Sequence, residues 1–122
     1  MIEIRREDFS VDEAVKNMKD PKIGAILVYL GTVREFPEGR GLEFDNDNHA
    51  IQKLEEIEKR VIDRFPIEDV AIVHRVGLLG VSDNILLVAV SSPHREPAFH
   101  ACRSIIDDIK DLHKSWGKEV LK

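Results

Sequence analysis

The sequence has few features that point to a disulfide-bonded, membrane or nucleic-acid-binding protein. Cys102 is the only cysteine among 122 residues, so no internal disulfide can form, and its place on an apolar helix face predicts a packed thiol in a reducing compartment. The formal charge of -5 argues against general nucleic-acid binding, which needs a basic face. Residues 1–8 are already charged and no apolar run reaches membrane length. We therefore expect a cytoplasmic globular protein without a signal peptide.

Recognisable motifs for metals and nucleotides are also missing. The histidines have no cysteine or carboxylate at ligand spacing, so no metal site is predicted; they are His49, His74, His94, His100 and His113. His100 and His113 fall outside the main apolar stripe of a long helix, which predicts that both are solvated. The sequence contains no GxGxxG, P-loop or GxSxG motif. No cofactor is expected.

Hydrophobic periodicity predicts an α+β fold within one domain that spans residues 1–122. Residues 10–13 form a capping box before a short helix, and residues 51–65 carry a helical apolar stripe that Pro66 ends. Residues 23–33 and 84–91 are rich in β-branched residues and predict buried strands, the first covered on both faces. Residues 70–76 predict another strand, and 77–80 a turn. This order predicts helices packed on a mixed or antiparallel sheet.

A long helix close to the C-terminus carries the most informative pattern. Its apolar residues recur at steps of three and four, which predicts one buried face: Phe99, Cys102, Ile105, Ile106, Ile109 and Leu112. Pro97 suits the first turn, where a missing N–H costs nothing. A basic tail is expected to follow the helix.

Cationic residues lie where the predicted elements begin and end. Arg34 follows the first buried strand, His94 and Arg95 follow the last one, and Lys110 and Lys118 lie towards the end of the long helix and beyond it. Singly, each fits an ordinary solvated charge. Together they predict a pocket for an anionic small molecule, because arginine offers a planar donor fork for phosphate and lysine a mobile point charge.

Five short motifs connect the sequence to a known family. They are Gly-Thr-Val-Arg at 31–34, His-Arg-Val-Gly at 74–77, Ser-Pro-His-Arg at 92–95 followed by Ala98-Phe99, Asp-Ile-Lys at 108–110, and Trp-Gly-Lys-Glu at 116–119. In order and spacing, from about residue 9 to residue 119, the chain resembles the large, catalytic subunit of molybdopterin synthase, the MoaE family.

The resemblance implies an α/β-hammerhead-like fold and a homodimer. In that family the dimer binds two copies of a small ubiquitin-like sulfur carrier, giving a heterotetramer, and the carrier's C-terminal glycine thiocarboxylate enters the pocket. The reaction transfers sulfur to cyclic pyranopterin monophosphate and forms the dithiolene of molybdopterin, a step of molybdenum cofactor biosynthesis.

The resemblance also assigns residues to roles. Lys110 and Lys118 would be catalytic, and the substrate-binding set would be Thr32, Val33, Arg34, His94, Arg95, Lys110, Gly117, Lys118 and Glu119. Arg95 and Lys110 are separated by about 20 Å along one helix, so a single chain can hardly bring both to one small substrate. A pocket shared between two subunits is therefore predicted.

The chain departs from the family pattern at several places, among them Leu78, which replaces a usual acidic residue, and these departures keep alternatives open. It is shorter between Gly41 and Ile51, Gly117 stands where the family has lysine, and the chain ends at Lys122. One alternative is a non-catalytic homologue that binds the sulfur carrier as a scaffold or regulator. A more distant one is a phosphate-binding metabolic enzyme of unrelated chemistry, since a fold does not fix a function.

Overall fold

The computed structural model describes residues 1–121, so the chain end at Lys122 lies outside the described residues. Three helices and seven strands follow one another in the order β1 (Ile2–Arg5), α1 (Val11–Met18), β2 (Ala25–Thr32), β3 (Gly39–Phe44), α2 (Asn48–Arg64), β4 (Asp69–Arg75), β5 (Gly77–Gly80), β6 (Asn84–Ser92), α3 (Arg95–Trp116) and β7 (Gly117–Leu121). The predicted α+β class, with helices packed on a mixed sheet, is confirmed.

A four-stranded sheet in the order β1-β4-β6-β2 forms the centre of the molecule. The β1–β4 pair is parallel, and the β4–β6 and β6–β2 pairs are antiparallel. Strands β4 and β6 are almost entirely buried because side chains cover both faces. This matches the near-continuous apolar runs from which both strands were predicted.

Helices α2 and α3 pack against one face of this sheet, and α1 against part of the other. Leu54 and Ile57 of α2 and Ile105 of α3 belong to the same buried cluster as the sheet residues. Met18 of α1 packs with Ala71 and Ala89 on the opposite face. The helix starts have local causes, since Ser10 Oγ accepts a hydrogen bond from the Glu13 N–H at 3.2 Å and the Asp47 carboxylate accepts one from the His49 N–H at 2.9 Å.

A second, three-stranded sheet in the order β5-β3-β7 corrects two predictions. Residues 77–80, expected as a turn, form strand β5, which pairs with β3. The expected basic tail is strand β7, which follows α3 directly and pairs antiparallel with the other edge of β3. The backbone of residues 117–121 is therefore fixed by ladder hydrogen bonds.

Two predictions of burial are also wrong. Strand β2 lies at an edge of the large sheet, where Val28 and Leu30 are 39% and 42% exposed, so it is not covered on both faces. Phe99 is 55% exposed. The buried stripe of α3 begins instead with Ala98 and Ala101, which lie on a different side of the helix from Phe99. No helix within residues 1–121 is both long enough and apolar enough to span a membrane.

Candidate functional site

A cavity of about 480 Å³ lies where the edge of the large sheet meets the small sheet. It is bounded by the end of β2 and the loop after it, by the C-terminal half of α3, and by strands β3 and β7. Its apolar wall consists of Tyr29, Phe36, Leu42, Ile85, Leu86 and Ile106. A cavity of this size that combines an apolar wall with a few convergent polar groups is typical of a small-molecule site.

Two cations face this cavity from different elements. Arg34 comes from the loop after β2, and Lys110 comes from α3. Neither has an ion-pair partner among residues 1–121. Thr32 and Glu119 add a hydroxyl and a carboxylate to the wall. Two unpaired cations beside an apolar wall favour an anionic ligand with an apolar or aromatic body.

The position of Arg34 is fixed by the residue before it. The register between β2 and β6 shifts between Gly31 and Thr32, and the next residue, Val33, is buried with 2% exposure. The Val33 N–H donates to the Asp83 carbonyl at 3.0 Å, and its carbonyl accepts from the Ser82 N–H at 2.7 Å. Val33 is thus an anchor in the core that sets where Arg34 leaves the sheet, and its own side chain does not line the cavity.

Strand β7 sends neighbouring side chains to opposite faces of the small sheet. Glu119 lines the cavity, whereas Lys118 lies outside the lining and donates to Glu43 with an Nζ to Oε1 distance of 3.0 Å. The hydrogen bond and charge of the Glu43 carboxylate raise the pKa of Lys118. Gly117 opens the strand opposite Phe44 and also lies outside the lining.

His94 and Arg95 lie at the far end of α3. His94 is the N-cap of the helix and Arg95 its first residue, and both are exposed. Arg95 precedes Lys110 by fifteen positions in the same helix, which is about 22 Å at the rise of an α-helix. One chain therefore brings Thr32, Arg34, Lys110 and Glu119 to the cavity but not His94 or Arg95.

The structure also adds a residue to the cavity that the sequence did not predict. His113 lines it one helical turn after Lys110, so its predicted solvation is wrong. Its Nε2 lies 2.8 Å from Nε2 of the fully buried His74. Burial is the main cause that lowers the pKa of His113 to about 4, and the charge of Lys110 is the second cause. Its spacing of four residues from the buried Ile109 was the available signal, because such pairs share a helix face.

Burial is the main cause that lowers the pKa of His74 to about 3, and the charge of the neighbouring His113 is the second cause. Both imidazoles are therefore neutral near pH 7. Within residues 1–121 no group of three or more histidine, cysteine, aspartate or glutamate residues is arranged to hold a metal ion. The polar chemistry of the cavity is thus two cations, one carboxylate, the hydroxyls of Thr32 and Tyr29, and one neutral imidazole.

The family model described as MoaE protein matches residues 4–112. The molybdopterin synthase catalytic subunit of Pyrococcus abyssi is 41% identical over 118 residues, which cover 93% of this chain and 80% of that relative. The match to the family model begins within β1 and ends within α3, so it covers strands β1 to β6 and all three helices in whole or in part.

Solved structures give the same result. The crystal structure of molybdopterin synthase from Staphylococcus aureus has a TM-score of 0.86 and 31% identity, and covers 98% of this chain and 90% of that one. A protein–protein complex of subunits 1 and 2 of molybdopterin-converting factor from Helicobacter pylori 26695 has a TM-score of 0.73 and 20% identity, and covers 89% and 77%. At that identity the second likeness supports the fold alone.

Proposed function

Because the chain belongs to the MoaE protein family, we propose that it is the catalytic subunit of a molybdopterin synthase. In this function it transfers sulfur from the C-terminal thiocarboxylate of a small ubiquitin-like carrier to cyclic pyranopterin monophosphate. Two such transfers, with one sulfur from each of two carriers, form the dithiolene of molybdopterin and leave both carriers ending in a carboxylate.

The meeting of Arg34 and Lys110 at one cavity is the observation that carries this proposal. The substrate has a cyclic phosphate and a flat heterocycle, and the carrier tail is anionic. Two cations that have no ion-pair partner in the described part of the chain match these charges, and the apolar wall matches the ring system. The family relationship supplies the reaction, and the cavity provides groups that suit it.

The two cations suit different tasks. Arg34 is held at the sheet edge by the buried Val33, so its guanidinium fork suits the binding and orientation of phosphate. Lys110 suits the stabilisation of negative charge that develops when the acyl linkage to the carrier breaks down. Thr32 and Glu119 contribute hydrogen bonds to the bound substrate. Lys118 joins the site only by exchanging its ion pair with Glu43 for a contact with substrate.

We further propose that His94 and Arg95 serve the cavity of a second copy of the chain in a homodimer. The distance along α3 excludes their use with Lys110 of the same chain on one small substrate. Phe99, one turn after Arg95, is a large apolar side chain with 55% exposure. An exposed aromatic residue beside two cations fits a surface that packs against another protein.

Reconstitution with purified thiocarboxylated carrier and cyclic pyranopterin monophosphate tests the function. The wild-type protein should form the dithiolene product, and Lys110→Ala should lower its rate roughly 100- to 1000-fold, the usual effect of losing one group that stabilises developing charge. Lys114→Ala is the matched control, because this lysine is exposed on the same helix and, within the described residues, pairs only with Asp111. Its rate should equal that of the wild type.

Two results would contradict the proposal. Carrier binding without product formation by the wild-type protein would indicate the scaffold alternative. An undiminished rate for Lys110→Ala would remove Lys110 from the reaction.

A further inference from the structure

His113 and His74 form a hydrogen-bonded pair that runs from the wall of the cavity into the core. His74 lies in β4 with 0% exposure, and its Nδ1 is 2.7 Å from the carbonyl oxygen of Arg75. Its Nε2 is 2.8 Å from Nε2 of His113 in α3. The pair therefore links a cavity-lining imidazole to a backbone carbonyl.

The chemistry of these contacts determines where the protons are. A carbonyl oxygen only accepts hydrogen bonds, so Nδ1 of His74 carries the proton. A neutral imidazole has one N–H, which leaves Nε2 of His74 as an acceptor. Nε2 of His113 must then be the donor in the contact between the rings. The Nδ1 atom of His113 is consequently left with a free lone pair.

That lone pair is accessible. Nδ1 of His113 has no hydrogen-bond partner within residues 1–121, and it is not among the buried side-chain atoms that lack one, which are Arg5 Nε and Ser91 Oγ. Since His113 lines the cavity, Nδ1 can accept a hydrogen bond from a molecule bound there.

Aromatic packing holds the ring in this orientation. The centroid of the His113 ring lies 5.0 Å from those of His74 and Phe44, and 6.2 Å from that of Trp116. The Trp116 indole N–H donates to the Asp45 carbonyl at 2.7 Å, which ties this cluster to the end of β3. Contacts from several elements restrict rotation of the imidazole, so the acceptor is pre-organised.

We propose that His113 is a substrate-binding residue whose Nδ1 accepts a hydrogen bond from an N–H or O–H group of the ligand in the cavity, and that His74 positions it. This inference rests on the proposed function, in which the ligand is a pterin with amide and amine N–H donors. The charged groups that share the cavity are Lys110 from α3, Arg34 from the loop after β2, and Glu119 from β7.

The arrangement gives the cavity two kinds of recognition. Arg34 and Lys110 attract the anionic part of the ligand, and their unpaired charges are not specific for a pterin. A neutral acceptor at a fixed point selects a ligand that presents a donor there, because an unmatched buried acceptor costs binding free energy. His113 would therefore contribute to selectivity for the ring rather than for the phosphate.

Nitrogen NMR on the wild-type protein tests the hydrogen bond without any substitution. With imidazole nitrogens labelled by ¹⁵N, the Nδ1 signal of His113 should have the shift of an unprotonated nitrogen in the free protein. It should move towards the hydrogen-bonded position when cyclic pyranopterin monophosphate saturates the site. An Nδ1 signal that stays unmoved at saturation would overturn the proposal.

Two substitutions at His113 separate its two nitrogen atoms. Gln places its amide near the position of Nε2, so His113→Gln keeps a donor for His74 and loses the acceptor. Asn places its amide near Nδ1, so His113→Asn keeps an acceptor and loses the contact with His74. By calorimetry, the Gln variant should bind the substrate roughly two- to tenfold more weakly than the wild type. The Asn variant should bind more tightly than the Gln variant, because it keeps the acceptor, and more weakly than the wild type, because it loses the contact with His74 that positions the side chain.

The controls distinguish this inference from the proposed function. Lys114→Ala should bind as the wild type does. Wild-type binding by His113→Gln, or weaker binding by the Asn variant than by the Gln variant, would overturn the role of Nδ1. Failure of the wild-type protein to bind the substrate at all would overturn the proposed function together with this inference, whereas binding with an unmoved Nδ1 signal overturns this inference alone.

Discussion

Because Gly117 has no side chain, the junction of α3 and β7 can pack directly against Phe44. Adding a methyl group with Gly117→Ala should therefore destabilise the protein. A Cβ atom at Gly117 would lie 2.6 Å from Cε1 of Phe44 and 3.0 Å from Cζ. Carbon atoms in contact are normally about 3.5–4.0 Å apart, so the ring would have to move by about 1 Å. Phe44 is only 2% exposed and packs against His74, His113 and Trp116, which limits that movement.

The expected magnitude combines two opposing effects. Overpacking of a dense core costs about 1–3 kcal/mol. Gly117 has φ -88, which alanine adopts without strain, so the substitution also gains about 0.4–1 kcal/mol from the less flexible unfolded chain. The net loss for Gly117→Ala should be at most about 2.6 kcal/mol. At this chain length the loss corresponds to a fall in Tm of up to about 10 °C.

Urea unfolding of a double-mutant cycle with Phe44→Leu tests the cause. Leucine removes the ring atoms that the new methyl group meets, so Gly117→Ala should cost little in that background, and the interaction free energy should be about 1 kcal/mol or more. Gly80→Ala is the matched control in the same small sheet, because a Cβ there would meet only Asp83 Oδ2 at 3.7 Å. Equal stability of the two alanine variants, or an unchanged cost of Gly117→Ala in the Phe44→Leu background, would refute the reasoning.

Further predictions concern pH, subunit sharing and the C-terminal strand. Burial lowers the pKa values of His74 and His113 to about 3 and about 4, so between about pH 4 and 6.5 the unfolded chain binds more protons than the folded protein does. The free energy of unfolding, measured by urea unfolding, should therefore fall as the pH is lowered through that range. The Lys110→Ala and Arg95→Ala variants should each be inactive alone and should regain about a quarter of wild-type activity when their subunits are mixed and re-associated. Half of the dimers would then contain one variant of each kind, and one of the two shared sites in such a dimer would be intact. No recovery of activity would place both residues in a single-chain site. Lys118→Ala should leave Tm unchanged, because its ion pair is exposed, and should lower the rate of dithiolene formation, because the substrate loses the contact with Lys118. An unchanged rate would exclude Lys118 from the site.

Local sequence patterns predicted the elements whose causes are local. The helix after Ser10 and the helix before Pro66 follow from capping and apolar spacing over a few residues, and both are present. Strands β4 and β6 follow from their continuous apolar runs. The small sheet could not be found in this way, because Gly39 pairs with Leu121, 82 positions later in the chain, and its strands carry no strong apolar alternation.

The difference between the predicted and the observed buried side of α3 has a specific physical cause. The apolar pattern predicts Phe99 in the core because large apolar residues usually dominate a buried stripe, but the helix begins its contact with the sheet through Ala98 and Ala101. Small side chains permit a close approach of the helix to the sheet, and the aromatic ring is left outside. The same buried stripe continues through Ile109 to His113. His113 is therefore partly buried by its place on the helix, although a polar residue there predicts exposure to solvent.

The charges of the candidate site could be predicted from the sequence, but its shape could not. Its cations follow from the positions of Arg34 and Lys110 beside predicted elements and from the family resemblance. Its neutral components depend on contacts between β4, β3 and the end of α3, which are distant in the chain.

Gly117 affects both the packing of the fold and the position of a residue that lines the cavity. Helix α3 passes into β7 at Gly117 without an intervening loop. A side chain here would displace Phe44, and Phe44 packs against the ring of His113. The absence of a lysine at this position is therefore accounted for by packing, so it is not by itself evidence of a lost activity. It follows that a Gly117→Lys substitution should weaken substrate binding through a displaced His113 ring, even though it adds a cation beside an anion site.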